Sequence, residues 1–280
     1  MTKLLEILSF GAGVQSSTVA LMSAVGELPP LDAAIFADTM GEPDEVYEWL
    51  DWIETVLPYP VYRVSYGDLE DDDGERRTSK KSGRRYIKAA VPMWVEKKSG
   101  KVGGGLIRKC TRDYKINPVR RKVKELAKPR RSETDILVRQ WMGISTDEAH
   151  RMKSSRIAYI KHWYPLIQQL NVSREACLEW MKKKGYPEPP RSACVFCPYH
   201  SAAEWRRLQQ NDPIGYQRAA DFEIKLRAAY NEHDEQLNGV DVWLTKVGRP
   251  LGEIDWSEDD QVDDVQGENW GNECEGMCGV

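Results

Sequence analysis

The sequence predicts an α/β fold, a parallel sheet with helices on both faces, continued by a helical C-terminal region and an acidic tail. Three observations predict it. An apolar run enters a glycine-bearing loop that opens a helix within the first 25 residues; strand-like and helix-like segments then alternate at crossover spacing; and long helical periods dominate after about residue 200. The chain has 280 residues, 41% hydrophobic and 30% charged, enough to bury a substantial core. No charged leader precedes a long apolar stretch, and nowhere do about 18 apolar residues run together. A cytoplasmic protein without membrane contact is the expectation.

The elements follow in order. "LLEILSF" (4–10) reads as a buried first strand and "VQSSTVALMSAV" (14–25) as a helix with an apolar stripe. "LDAAIFADT" reads as a second strand, "EPDEVYEWLDWIETVL" as a helix with acids in its first turns, and "YPVYRVSY" as a third strand. From about 74 to 105 the periodicity breaks into basic, glycine-containing sequence, read as a long loop or hairpin beside the site. The helix "NPVRRKVKELAK" and the strand "DILVRQWMGI" come next. Helices over "SREACLEWMKKKG", "SAAEWRRLQQ" and "DPIGYQRAADFEIKLRAAYNEH" complete the pattern. The expected division is an α/β nucleotide-binding domain with the cysteines at 1–210, a helical extension at 211–252 and an acidic, cysteine-bearing tail at 253–280.

The net charge of −4 hides an asymmetry: residues 76–131 hold 21 Lys and Arg against 3 Asp and Glu, whereas residues 252–280 hold 10 acids and no Lys or Arg. The basic segment is either a solvated surface or a funnel for a nucleotide or nucleic acid. "RRTSKKSGRR" (76–85) stands out within it. Six cysteines in an expected cytosolic chain argue for metal or redox chemistry over a disulfide framework.

At the first loop, "SFGAGVQSST" (9–18), backbone amides and the positive end of a helix dipole are offered to an anion. Gly11 and Gly13 let a phosphate approach the backbone, and Ser9, Ser16 and Ser17 offer hydroxyls. The loop is neither a Walker A sequence nor the spaced-glycine dinucleotide fingerprint. It resembles the PP-loop of the superfamily that holds the ATP pyrophosphatases and the phosphoadenylyl-sulfate (PAPS) and adenylyl-sulfate reductases, with Gln15 where many pyrophosphatases carry Asp. "FADTMGEPDEVYEW" (36–49) resembles the Asp-Thr-Gly segment of the same family, and "GISTDEAHRMKSS" (143–155) a later motif leading to an arginine near the phosphates. The resemblance covers roughly residues 5–210 and implies a Rossmann-like fold that binds an adenine nucleotide or sulfonucleotide. It implies a phosphate contact from Arg151, and Asp38 as a ligand of Mg²⁺ accompanying ATP or of the ribose; Arg112, among the basic residues that flank Cys110, is a further expected anion contact because its planar guanidinium matches phosphate or sulfonate.

"RSACVFCPYH" (191–200) places Cys194 and Cys197 as C-x-x-C in a breaker-rich turn, a spacing that lets two thiolates face one metal centre. Cys110 lies 84 positions earlier in "RKCTRDYK", where flanking Arg and Lys favour the thiolate. The layout resembles the cluster-binding cysteines of assimilatory adenylyl-sulfate reductases, with Thr111 in place of the second member of their Cys-Cys pair. The resemblance implies a 4Fe-4S cluster on Cys110, Cys194 and Cys197, with Zn²⁺ as the alternative metal. "NECEGMCGV" (272–280) is similar to the cysteine-bearing tail of the reductases, which implies Cys274 as nucleophile, with Cys278 beside it.

Two reactions are therefore expected of an iron-sulfur enzyme here: sulfonucleotide reduction, or ATP-dependent sulfur transfer to a nucleic acid or small acceptor. Each implies an electron or sulfur donor protein as partner. The competing class is a non-catalytic nucleotide- or nucleic-acid-binding protein with a structural metal. Oligomeric state is not legible.

Overall fold

The computed structural model describes residues 3–97, 99–106, 108–235, 237 and 240–256. In chain order its elements are β1 (Leu5–Phe10), α1 (Val14–Ala24), β2 (Ala33–Asp38), α2 (Asp44–Val56), β3 (Val61–Ser65), the single turn α3 (Leu69–Asp72), β4 (Glu75–Thr78), β5 (Arg85–Lys88), β6 (Trp94–Glu96) and β7 (Val102–Gly105). Then come α4 (Asn117–Ala127), β8 (Val138–Met142), β9 (Ile160–Trp163), α5 (Pro165–Gln168), α6 (Arg174–Lys183), α7 (Ala202–Asn211), α8 (Pro213–His233) and β10 (Val242–Trp243). Among the described residues no helix is long and apolar enough to cross a membrane.

The main sheet is five-stranded in the order β3-β2-β1-β8-β9, and every pairing in it is parallel. Its central strands alternate between faces as the period of two requires. Leu8, Phe10, Ala34 and Phe36 point into a core with α1, α2 and α6, while Ile7, Ile35 and Ala37 meet Val119 and Val123 of α4 on the other side. Helices therefore cover both faces, as expected of an α/β sheet with buried strands. The chain winds outward from β1 to β3, then returns to lay β8 on the other side of β1. That reversal opens a crevice at the carboxyl ends of β1 and β8.

A second core lies beside the sheet. It joins residues 87–93, Tyr114, the Cys194–Phe196 segment, α7, α8 and the stretch ending at Trp256. Residues on both sides of position 210 contribute to this core. Of the expected 211–252 extension, Pro213–His233 is the long helix α8, Asn211 ends α7, Leu251 and Gly252 lie in a short 3-10 turn, and β10 pairs antiparallel with β6. The buried Glu223 carboxylate fastens that return, accepting the amides of Leu244 (2.7 Å) and Leu251 (2.6 Å). The basic stretch expected as a loop or hairpin forms two hairpins, β4–β5 and β6–β7.

The helical course begins before α4, because residues Thr111–Ile116 form a π-helical turn running into it. Pro118 has no amide to offer the carbonyl four residues back, and the amide of Asn117 instead reaches Arg112, five residues back.

Candidate functional site

The crevice between β1 and β8 is built around the glycine loop. Gly13 caps α1 with no side-chain hydrogen bond, so the first-turn amides of that helix have no side chain closing them off. Ala12 sits in left-handed backbone (φ 59°), an unusual conformation for a residue with a Cβ. Across the crevice Gly143, just after β8, lies so close that an added Cβ would stand 2.7 Å from both the Cα and the N of Ser16. Only glycine fits that approach.

The predicted nucleotide-binding residues divide into groups. Gly11 donates its amide to Ser16 Oγ (3.2 Å), which closes the loop on itself. Ser9 and Ser17 are buried, their hydroxyls accepting Gln140 Nε2 (2.6 Å) and Trp49 Nε1 (3.0 Å), and so hold the strand end and α2 to the loop. Gln15 donates to Glu148 Oε2 (3.1 Å) and Ser145 Oγ (3.3 Å), and Glu148 is ion-paired with the buried Arg151. Gln15 and Arg151, 136 positions apart, are thus brought into one network across the crevice. Glu148 was not picked out in the sequence, although its place three residues before Arg151 is that of a helical pair.

Asp38 turns back on its own segment, accepting from Met40 N (2.8 Å) and Tyr47 OH (2.9 Å). Burial, with Asp38 adding to it, pushes the Tyr47 phenol far above its ordinary range, so it acts as a donor at every physiological pH. Arg112 is placed differently from the rest: it is largely exposed and grips the neighbouring Asp113 through two bonds of 2.7 and 3.0 Å. No described contact joins it to the glycine loop.

Cys110, Cys194 and Cys197 line one small cleft of about 30 Å³ together with Thr39, Arg108 and the buried Lys115. Two hydrogen-bonded turns shape it. The amides of Lys109 and Cys110 both donate to Ala90 O (3.0 and 2.9 Å), and Cys197 N closes a turn on Cys194 O (2.9 Å). Among the described residues no group of three or more His, Cys, Asp or Glu side chains is gathered tightly enough to hold a metal ion. Burial raises the Cys194 thiol well above its usual range, Glu42 raising it further and Lys115 opposing. His200 is buried against the same turn, 3.1 Å from Cys194 O, and its pKa falls to about 3 because burial and then Arg191 disfavour the imidazolium.

Beneath the cleft lies an ion pair that sequence reading missed. Lys115 Nζ stands 3.3 Å from Glu42 Oε1, with side-chain exposures of 7% and 0%; Glu42 also accepts from Thr39 Oγ1 (3.2 Å). Its second oxygen, Oε2, is buried without a hydrogen-bond partner. Nothing in the one-dimensional pattern links positions 42 and 115.

The crevice and the cleft adjoin. Ser192 lies 3.7 Å from where a Cβ on Gly13 would stand, and Gly41 O accepts Val195 N (2.7 Å). A Cβ on Gly41 would come within 3.0 Å of Cys194 Sγ and 2.7 Å of the Phe196 ring. The segment 192–197 therefore lies directly over the carboxyl ends of β1 and β2. Cys274 and Cys278, expected as nucleophile and neighbour, lie outside the described residues.

No family model matches the chain, and no curated protein does. Among solved structures it is similar to phosphoadenylyl-sulfate (PAPS) reductase from Candida auris, determined as a phosphate complex. That likeness covers 67% of this chain and 76% of that one, with 12% identity and a TM-score of 0.42.

Proposed function

We propose that the chain is an enzyme that holds an adenine nucleotide or sulfonucleotide at the β1 loop and performs sulfur chemistry at the three-cysteine cleft. One observation carries this reading: the cysteine segment 192–197 packs on both the glycine loop and the turn after β2, so the thiols stand beside the place where the loop offers its amides. Phosphate or sulfonate binds at the uncapped start of α1, while the Gln15–Glu148–Arg151 network fixes the facing wall.

A 4Fe-4S cluster would be held by Cys110, Cys194 and Cys197, which line one cleft though they are not gathered closely enough for a single metal ion, and Arg108 in the same lining would offset the negative charge of thiolate ligands. Such a group supplies a polarised iron face for a sulfur atom. The chain's own residues bind the nucleotide, orient it and keep water from the apolar side of the cleft. Two reactions remain within this class. In reduction, a thiolate, with Cys274 as the candidate, attacks the sulfonate sulfur; the S–O bond breaks, the nucleoside phosphate leaves and a dithiol donor later releases sulfite. In transfer, an acceptor oxygen attacks the α-phosphorus of ATP, pyrophosphate leaves, and a sulfide nucleophile then displaces AMP.

Titration of the anaerobically purified protein with ATP and with adenylyl sulfate, followed by pyrophosphate and AMP assays, tests the reading. Binding of one nucleotide with release of the matching product supports it. Binding without product release leaves the non-catalytic alternative, and failure to bind either nucleotide refutes the reading. Turnover of adenylyl sulfate that survives Cys274→Ser removes Cys274 from the reaction.

A further inference from the structure

The two hairpins spring from the rim of the cysteine cleft. β5 ends at Lys88, the next residues supply the cleft-lining Val91 and Pro92, β6 and β7 follow, and the chain then returns to the cleft at Arg108 and Cys110. On the first hairpin the basic residues nearest the body are neutralised: Arg76 pairs with Glu232, Arg85 with Glu235, and Arg77 and Lys88 with Glu75. The tip is different. Lys80, Lys81 and Arg84 are exposed and form no ion pair with any described acid. Lys97 and Lys101, at the open end of the second hairpin, are likewise exposed and without a described acidic partner.

We infer that the hairpin tips form a binding surface for the phosphate backbone of a nucleic acid, which makes a nucleic acid the acceptor presented to the cleft. This rests on the reading of the cleft as the reactive site. Distance decides between a polymer and a small substrate. From Lys88 to Arg85 the strand alone advances about 10 Å, and the tip lies farther out. Charges beyond a Debye length of roughly 8–10 Å are screened at physiological salt, so the tip cations add little to holding a small anion in the cleft. A polymer that presents one nucleotide at the mouth of the cleft lays its neighbouring phosphates along the hairpins, and there each cation releases a counterion. Ser79 and Ser82 flank the lysines and add hydroxyl donors of the kind found at phosphate contacts.

Fluorescence anisotropy with 20-nucleotide probes of single-stranded DNA, duplex DNA and RNA, over a salt series on the full chain, tests this. The wild type is expected to bind at least one probe, and K80E/K81E/R84E to weaken it at least about tenfold, with the salt slope shallower by roughly 3. K97E/K101E is expected to lower the slope by roughly 2. Both variants should keep the wild-type melting temperature and ATP affinity, because the altered side chains are exposed and away from the loop. No binding of any probe, or equal binding by wild type and both variants, overturns the inference. So does loss of binding that a polyglutamate peptide reproduces at matched charge and salt, which assigns the surface to an acidic protein. Oligonucleotide binding without ATP or sulfonucleotide binding refutes the functional reading while leaving the surface intact, so the two failures are distinguishable.

Discussion

The crevice at β1 and β8 and the cysteine cleft beside it are built in opposite ways. The crevice is the product of local order: one strand, one loop and one helix within 20 residues, closed by Gly143 from the adjacent strand. The cleft is assembled from segments near residues 39, 69, 91, 110 and 196, held by a second core that needs α8 and the chain after it. A site made of one turn tolerates change elsewhere; a site made of several distant segments depends on every element that holds them. Substitutions should therefore separate the two.

The largest separation is expected at the buried ion pair. Lys115→Met leaves the Glu42 carboxylate inside the core and should cost about 3–5 kcal/mol by urea unfolding, while the double variant Glu42→Gln/Lys115→Met recovers most of that loss. A single variant costing under about 1 kcal/mol would mean the pair is solvated in solution and the cleft is looser than described.

Asp73 gives the next effect. Its buried carboxylate accepts the amides of Ala90 and Val91, whose turn receives Cys110, and burial lifts its pKa to about 6. Because the folded pKa lies above the unfolded one, its contribution to stability is complete below the unfolded value and is lost as pH rises through about 6. Between pH 4 and 8 the wild type should lose on the order of 3 kcal/mol that Asp73→Asn does not. Parallel pH profiles would place the Asp73 carboxylate in water.

Glycine substitutions give the smallest and most selective effects. Gly143→Ala presses a methyl onto the start of α1 and should cost about 1–3 kcal/mol, with a drop in nucleotide affinity but unchanged iron content. Gly41→Ala presses on Cys194 and Phe196 and should do the reverse. If either variant lost both properties, the crevice and the cleft would be one cooperative site.

The same contrast explains what was legible beforehand. The first three strands, α1 and α2 announce themselves because burial imposes periods of two and 3.6 on apolar residues, and glycine marks the turn. β9 escaped notice because Lys161 is exposed and His162 partly so at the sheet edge, which blurs its alternation. The π-turn after Cys110 has Pro118 as its only cue. Gathering Cys110 with Cys194 and Cys197 was expected from a family resemblance; the Glu42–Lys115 pair beneath them depends on tertiary contact alone. Arg112, expected among the anion contacts, holds the neighbouring Asp113 at the surface.

Iron and sulfide analysis of the anaerobically purified full chain, read with its absorption spectrum, tests the central claim most directly. The account predicts about four irons and four sulfides per chain with a broad band near 400 nm, both lost in Cys110→Ser while the fold and nucleotide binding persist. A colourless protein carrying zinc, or iron unaffected by Cys110→Ser, would contradict it.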